Sequence, residues 1–303
     1  MSPLADSAPF LRIIAGPTAS GKSSLAIEIA LRTGAEIVNA DSQQVYRYFD
    51  IGTAKPSAEQ LARVPHHLLS VVDPKAGFSA AEFQKRADEA IAQIYQRSRP
   101  ILLVGGTGLY LRALLHGVVR APGADPELRA RLEAVAKSQG KGSLYRRLEE
   151  VDPESANSIK RGDLVRIVRA LEIYEKTGSP ASRARGEHRF EEQRYRFSLF
   201  VLSPPREQLY RAIGERTRAM FAHGLVDEVA DLVRRGFRDA PPMQSLGYTQ
   251  ALAVHEGLMT LEAAIAEVEL QTRRYAKRQL TWFRKEPGAR FIAPPYTAAF
   301  EQE

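Results

Sequence analysis

Phe10, Leu11, Ile13 and Ile14 form a short apolar run, and Leu25, Ala26, Ile29 and Ala30 recur at helical spacing. The first pattern predicts a strand and the second an amphipathic helix, with a glycine-bearing loop from Gly16 to Ser23 between them. Glu36 to Ala40 and His67 to Val72 read as two further strands, and Ile101 to Val104 as a strand buried on both faces. Helical spacing fills the gaps: residues 57–63, residues 78–97 with Ser79 as N-cap and Glu82 three residues on, and a helix through His116. This alternation predicts an α/β fold, a parallel sheet flanked by helices, with ligands beyond the carboxyl ends of its strands. Lys22, Asp41, Asp73 and Thr107 all fall at those ends.

The pattern changes after Arg120-Ala121-Pro122-Gly123. Only helical segments follow, at 128–137, 143–150, 153–159 and 163–176, which predicts an all-helical insertion. A loose polar stretch, 178–193, leads to an alternating run from Arg194 to Leu202 that returns to the sheet as a strand. The remainder is helix-rich, at 205–222, 224–235, 245–256 and 260–285. The expected organisation is a core, 1–119, a helical insertion, 120–193, and the completion of the core with basic helices, 194–303.

Composition narrows the class. Charged residues at 26% and apolar residues at 44% over 303 positions describe a soluble globular chain with no membrane span. With no cysteine there are no disulfides, thiol nucleophiles or thiolate metal sites, which suits the cytoplasm. The net charge is +7, and residues 271–290 carry seven basic side chains against Glu286 alone. The excess is therefore a patch, which points to a polyanionic partner or, more blandly, to a solvated helix face.

Gly16-Pro17-Thr18-Ala19-Ser20-Gly21-Lys22-Ser23 is a phosphate-loop pattern in the strand–loop–helix context such a loop needs. Backbone N–H groups and the helix N-terminus attract an anion, Lys22 reaches the outer phosphate, and the Ser23 hydroxyl can hold magnesium. The expected fold is thus a P-loop NTPase-like parallel sheet. Asp41, just past a strand, reads either as a proton acceptor or as a turn residue. Gln43 and Gln44 suit a base edge but are also ordinary surface amides. Gly105 to Gly108 closes the buried strand without the acid that nucleotide hydrolases carry there, and Thr107 offers a neutral hydroxyl instead. His66 and His67 read as structural. Trp282 and Phe283 are either base-stacking or core.

Taken together these stretches resemble the bacterial tRNA dimethylallyltransferases. The motifs are GPTASGKS at 16–23, NADSQQVYR at 39–47, DIGTAKP at 50–56, PHHL at 65–68 and GGTGLY at 105–110. VRIVRALE at 165–172, LGY at 246–248 and AKRQLTWFR at 276–284 continue in the same order. The resemblance implies an enzyme that moves a five-carbon group from dimethylallyl diphosphate to N6 of the adenosine 3′ of the tRNA anticodon; a monomer is the default reading because no hydrophobic seam stands out in the sequence. It implies that Asp41 is the general base, that Thr107 assists the departing diphosphate, and that Arg216 neutralises it. Gly16 to Ser23 and Ser24 would hold the diphosphate, with Lys22 against its charge and Ser23 placing Mg2+. The tRNA would meet Asp41, Ser42, Gln43, Gln44, Arg129, Val165, Arg166, Arg169, Gln244, Gly247, Tyr248, Lys277, Arg278, Gln279, Trp282 and Arg284. The cysteine-free chain lacks the zinc element of eukaryotic relatives. An adenylate isopentenyltransferase acting on free AMP, ADP or ATP shares the phosphate loop and Asp41 but needs neither the basic patch nor the insertion. A small-molecule kinase and a non-enzymatic RNA-binding P-loop module are the other readings.

Overall fold

A computed structural model of the chain describes residues 9–119, 121–188 and 193–300; the N-terminal MSPLADSA, Arg120, residues 189–192 and residues 301–303 lie outside it. Two compact units emerge. One joins the residues up to Leu115 with those from Gln193 onward, and the other comprises His116–Glu192. The second unit starts at His116, the last residue of the helix Gly108–His116.

The first unit is built on a parallel sheet of six strands: β1 (Phe10–Ala15), β2 (Glu36–Asn39), β3 (His66–His67), β4 (Ile101–Gly105), β5 (Arg196–Leu202) and β6 (Ala289–Ile292). Their order is β3-β2-β4-β1-β5-β6, and every pairing is parallel. In chain order its helices are α1 (Lys22–Thr33), α2 (Ala58–Arg63), α3 (Ala80–Gln96) and α4 (Gly108–His116). All of β4 is buried, as its unbroken apolar run requires in a strand covered on both faces. Phe83, Ile91 and Leu111 pack on one face of the sheet, and Leu25, Ile29 and Ala30 of α1 on the other.

The second unit holds α5 (Pro126–Gln139), α6 (Lys141–Val151), α7 (Pro153–Ser158), α8 (Leu164–Thr177) and α9 (Ala181–His188). Asp125, Asp152 and Asp163 cap α5, α7 and α8 by accepting backbone N–H bonds. Leu132, Leu148, Ile167 and Leu171 form the core of this unit. Glu172 lies fully buried beside that core, paired with Arg129 at 2.8 Å and bonded to Arg169.

Back in the first unit, α10 (Arg206–Ala222), α11 (Leu225–Arg234), α12 (Tyr248–His255) and α13 (Leu261–Phe283) complete the chain's helices. Their apolar faces gather around Tyr248, Phe49 and Val229 in a core separate from the sheet. Among the described residues no helix is long and apolar enough to cross a membrane.

Three expectations change. The strand read at 67–72 shrinks to His66–His67, because Leu68 and Ser70 take left-handed backbone angles (φ 61° and 52°) and break the extension. The polar stretch after residue 178 contains α9. Strand β6 was not foreseen, since its edge position leaves Arg290 and Phe291 exposed and erases the alternation.

Candidate active site

Strand register sets the site. Ala15 pairs with Gly105, and Asn39 with Val104, so β1, β4 and β2 end at one level. Three loops therefore leave the sheet side by side: the phosphate loop, the loop bearing Thr107 and the loop bearing Asp41. The last two touch closely. A Cβ on Gly105 would stand 2.1 Å from the Ala40 carbonyl oxygen, so only glycine fits between them. The Ala40 N–H donates to Val104, the Thr107 N–H donates to Ala40 (3.3 Å), and the Ser42 N–H donates to the Thr107 hydroxyl (3.1 Å).

Asp41 is half-buried. Its Oδ1 accepts the N–H groups of Gln43 (2.8 Å) and Gln44 (3.3 Å), which closes a tight turn. Both sequence readings of this residue are thus compatible: one oxygen holds the turn, and the carboxylate lines a cavity.

That cavity has a volume of about 370 Å³ and lies beyond the strand ends. Thr18 and Ala19 of the phosphate loop, Ser42, Gln43 and Gly247 line it, together with Arg216 from α10 and Arg278 from α13. Thr53, Thr217, Met220 and Tyr275 also line it; sequence reasoning missed Thr53 and Tyr275 as site residues. Thr53 had no readable signal, because the group it offers Arg216 is its backbone carbonyl, 3.4 Å from Nη2.

Lys22 opens α1 and donates to the Pro17 carbonyl at 2.6 Å. Burial first, and then the positive charge of Arg216, pull its pKa down to about 8, while Asp41 pushes the other way. Burial likewise lowers the pKa of Arg216 against the opposing pull of Asp41. Lys22, Arg216 and Asp41 therefore share one electrostatic neighbourhood: two crowded cations and a carboxylate. Two crowded, desolvated cations are a site for a dense anion. Ser23 and Ser24 lie exposed in the first turn of α1, where backbone N–H groups have no carbonyl partner inside the helix. Thr18 differs, because its N–H is taken by Gln279 at 2.9 Å and is not offered to an anion.

Among the residues expected to meet tRNA, Lys277, Arg278, Arg284 and Gln244 are exposed. In the helical unit Val165 is 82% exposed and the Arg166 side chain 71%. Arg129 and Arg169 keep about a third of their surface, but both guanidinium groups are bonded to Glu172. Three side chains are placed otherwise than expected. Tyr248 is fully buried and donates to Glu228 while accepting the Gly52 N–H. Gln44 is buried, and its amide donates to the Thr53 and Ala54 carbonyls. Gln279 is 7% exposed with both amide ends partnered inside the protein. A periodic signal existed for Gln279, which shares the buried stripe of Ala276 and Phe283. Trp282 is half-buried, with the Arg112 guanidinium 4.5 Å from its ring centroid. His67 pairs with Glu36 (2.7 Å) and His66 with the Val64 carbonyl, both structural roles.

The family model described as IPP transferase matches residues 44–286. The chain is 63% identical to the tRNA dimethylallyltransferase of Myxococcus xanthus, over 96% of this chain and 94% of that one. It is 48% identical to the tRNA dimethylallyltransferase of Geobacter sulfurreducens, over 94% and 92%. Among solved structures it resembles the full-length tRNA isopentenylpyrophosphate transferase of Bacillus halodurans, with a TM-score of 0.68, 39% identity and coverage of 96% and 93%. A eukaryotic dimethylallyltransferase solved acting on tRNA matches with a TM-score of 0.80 at 26% identity, covering 97% of this chain and 76% of that one. The strand-end loops and the two crowded cations thus sit in a P-loop-like prenyl-transferring enzyme, and the chain belongs to the IPP transferase family, that of the tRNA dimethylallyltransferases.

Proposed function

We propose that this enzyme transfers the dimethylallyl group of dimethylallyl diphosphate to N6 of the adenosine immediately 3′ of a tRNA anticodon, releasing diphosphate. The observation that carries this reading is the meeting of Asp41, Arg216 and Arg278 in one cavity beside the phosphate loop.

The chemistry follows from these positions. An adenine N6 lone pair is delocalised into the ring, so the amine attacks only a carbon already carrying positive character. Charge then builds on the departing diphosphate, and Lys22 and Arg216 stabilise it in a desolvated pocket where electrostatics act strongly. The Thr107 hydroxyl stands at the neighbouring strand end to donate to the leaving oxygen. As the C–N bond forms, the amine proton passes to the Asp41 carboxylate, whose Oδ1 is fixed by the turn. An adenine reaches this cavity only when turned out of its stack, which an anticodon loop permits more readily than a duplex. The exposed bases Lys277, Arg278 and Arg284 supply the phosphate contacts that hold the RNA.

Magnesium fits the site as counter-ion of the diphosphate. The exposed Ser23 hydroxyl at the helix start is the hard oxygen of this chain that would hold it, and the ion would there supply positive charge against the leaving group.

The test is the position of the product. Nuclease digestion and mass spectrometry of tRNA treated with enzyme, dimethylallyl diphosphate and magnesium should place one five-carbon group on the adenosine beside the anticodon. Modification elsewhere, or on no adenosine, would overturn the reading.

A further inference from the structure

Gln279 projects from the buried stripe of α13, where a polar amide is costly unless both of its ends are bonded. Both are. Its Oε1 accepts the Thr18 N–H at 2.9 Å, and its Nε2 donates to the Gly106 carbonyl at 2.9 Å. One side chain thus joins the phosphate loop to the loop carrying Thr107. The fit is close: a Cβ at position 106 would lie 2.3 Å from Gln279 Nε2.

The same helix carries the exposed bases Lys277 and Arg278 two residues and one residue before Gln279. The turn that follows it is fixed to α4 by the Arg112–Glu286 ion pair at 2.6 Å. A helix with RNA-facing cations on one side therefore reaches both loops that handle the diphosphate on the other.

We propose that Gln279 is a positioning residue for prenyl transfer, fixing the spacing between the diphosphate cradle and the Thr107 hydroxyl and so linking RNA docking on α13 to diphosphate binding. This rests on the proposed function. The side chain itself meets neither substrate. Replacing Gln279 with leucine leaves the Thr18 N–H and the Gly106 carbonyl without these partners, and the two loops lose their common brace. A displacement on the order of 1 Å between reacting groups costs roughly 100-fold in rate. Glutamate at this position would face the Gly106 carbonyl with a second acceptor oxygen and bury a charge, and so breaks the brace as leucine does.

The experiment uses the full chain with magnesium. Calorimetry measures inorganic diphosphate binding with and without an anticodon stem-loop, anisotropy measures stem-loop binding, and steady-state transfer gives kcat and KM. Wild-type enzyme should bind diphosphate more tightly when the stem-loop is present, and by linkage the reverse should hold by the same factor. Gln279→Leu should lower kcat about 100-fold, remove that mutual factor and leave stem-loop affinity alone within about twofold. Gln279→Glu should lose kcat and coupling as the leucine variant does, and the retained stem-loop affinity separates loss of the brace from failure to fold. Unchanged kcat and coupling in Gln279→Leu would overturn the proposal. So would a loss of stem-loop affinity matching the loss of kcat, which would mark a direct RNA contact, or an absence of coupling in the wild type. Absence of any transfer by wild-type enzyme would instead count against the proposed function, so the two failures are distinguishable.

Discussion

The Thr107 hydroxyl accepts the Ser42 N–H at 3.1 Å, so the residue after Asp41 hangs from the loop that ends β4. The groups proposed for leaving-group assistance and for proton removal are one hydrogen bond apart in the chain's own wiring. A hydroxyl that accepts from Ser42 still has its proton to donate to a phosphate oxygen. Thr107→Val keeps the shape and removes the hydroxyl, and should lower single-turnover transfer about 100-fold, the cost of one preorganised donor. Thr107→Ser should stay within about threefold of wild type. Equal rates for the valine and serine variants would remove Thr107 from the chemistry.

The depressed pKa of Lys22 predicts a pH limb with a definite sign. Below about pH 8 the side chain is an ammonium and attracts the diphosphate; as pH rises through that value the charge is lost. Affinity for inorganic diphosphate should therefore fall on the alkaline side of pH 8. Arg216 is one of the charges that lowers this pKa and Asp41 the one that raises it. Arg216→Gln should move the limb to higher pH, and Asp41→Asn to lower pH. Calorimetric titrations across pH 7 to 10 check both; shifts of the same sign would contradict the assignment.

Glu172 predicts the acid behaviour of the helical unit. Burial works against its charge, but bonds from Arg129, the Asp125 N–H and Arg169 outweigh it and hold the pKa at about 2. A carboxylate whose folded pKa lies below its ordinary 4.5 stabilises the fold above pH 4.5, and that stabilisation is lost as pH falls towards 2. Glu172→Gln should cost about 3 kcal/mol at neutral pH, with the gap to wild type closing as the medium is acidified. Urea unfolding of both proteins at pH 7, 5 and 3 measures it, and a gap independent of pH would exclude the ion pairs as its source.

Much of this site was legible because its chemistry is local in sequence. Gly16 to Ser23 lies between an apolar run and a helical pattern, and the structure runs it from the end of β1 into the first turn of α1. Asp41 and Thr107 follow two strands read from the sequence, and the burial of the second was announced by its apolar run. What remained hidden depends on tertiary contact. The Thr53 carbonyl belongs to no side-chain code, and Leu68 and Ser70 carry no residue-type sign of left-handed backbone. Gln279, Gln44 and Tyr248 sit in motifs the resemblance associates with tRNA, yet their polar atoms are spent inside the protein. A motif records which residues a site needs, and the fold decides which of them touch the substrate and which hold the others still.

In the proposed mechanism Asp41 takes the amine proton, so its replacement should separate chemistry from binding. Asp41→Asn preserves an oxygen for the Gln43 N–H but is a far weaker base. Transfer should fall by roughly 100- to 10,000-fold, with stem-loop affinity changed less than about twofold. Anisotropy and single-turnover assays on the same preparation decide it, and a parallel loss of affinity and rate would make Asp41 a binding residue instead.

The central claim is tested most directly by label transfer from dimethylallyl diphosphate, with magnesium, to an anticodon stem-loop bearing adenosines beside the anticodon, set against AMP and ATP in parallel. The account predicts label on the stem-loop and none on the free nucleotides. Label on AMP or ATP alone, with the stem-loop untouched, would contradict it and make the protein a free-nucleotide prenyltransferase.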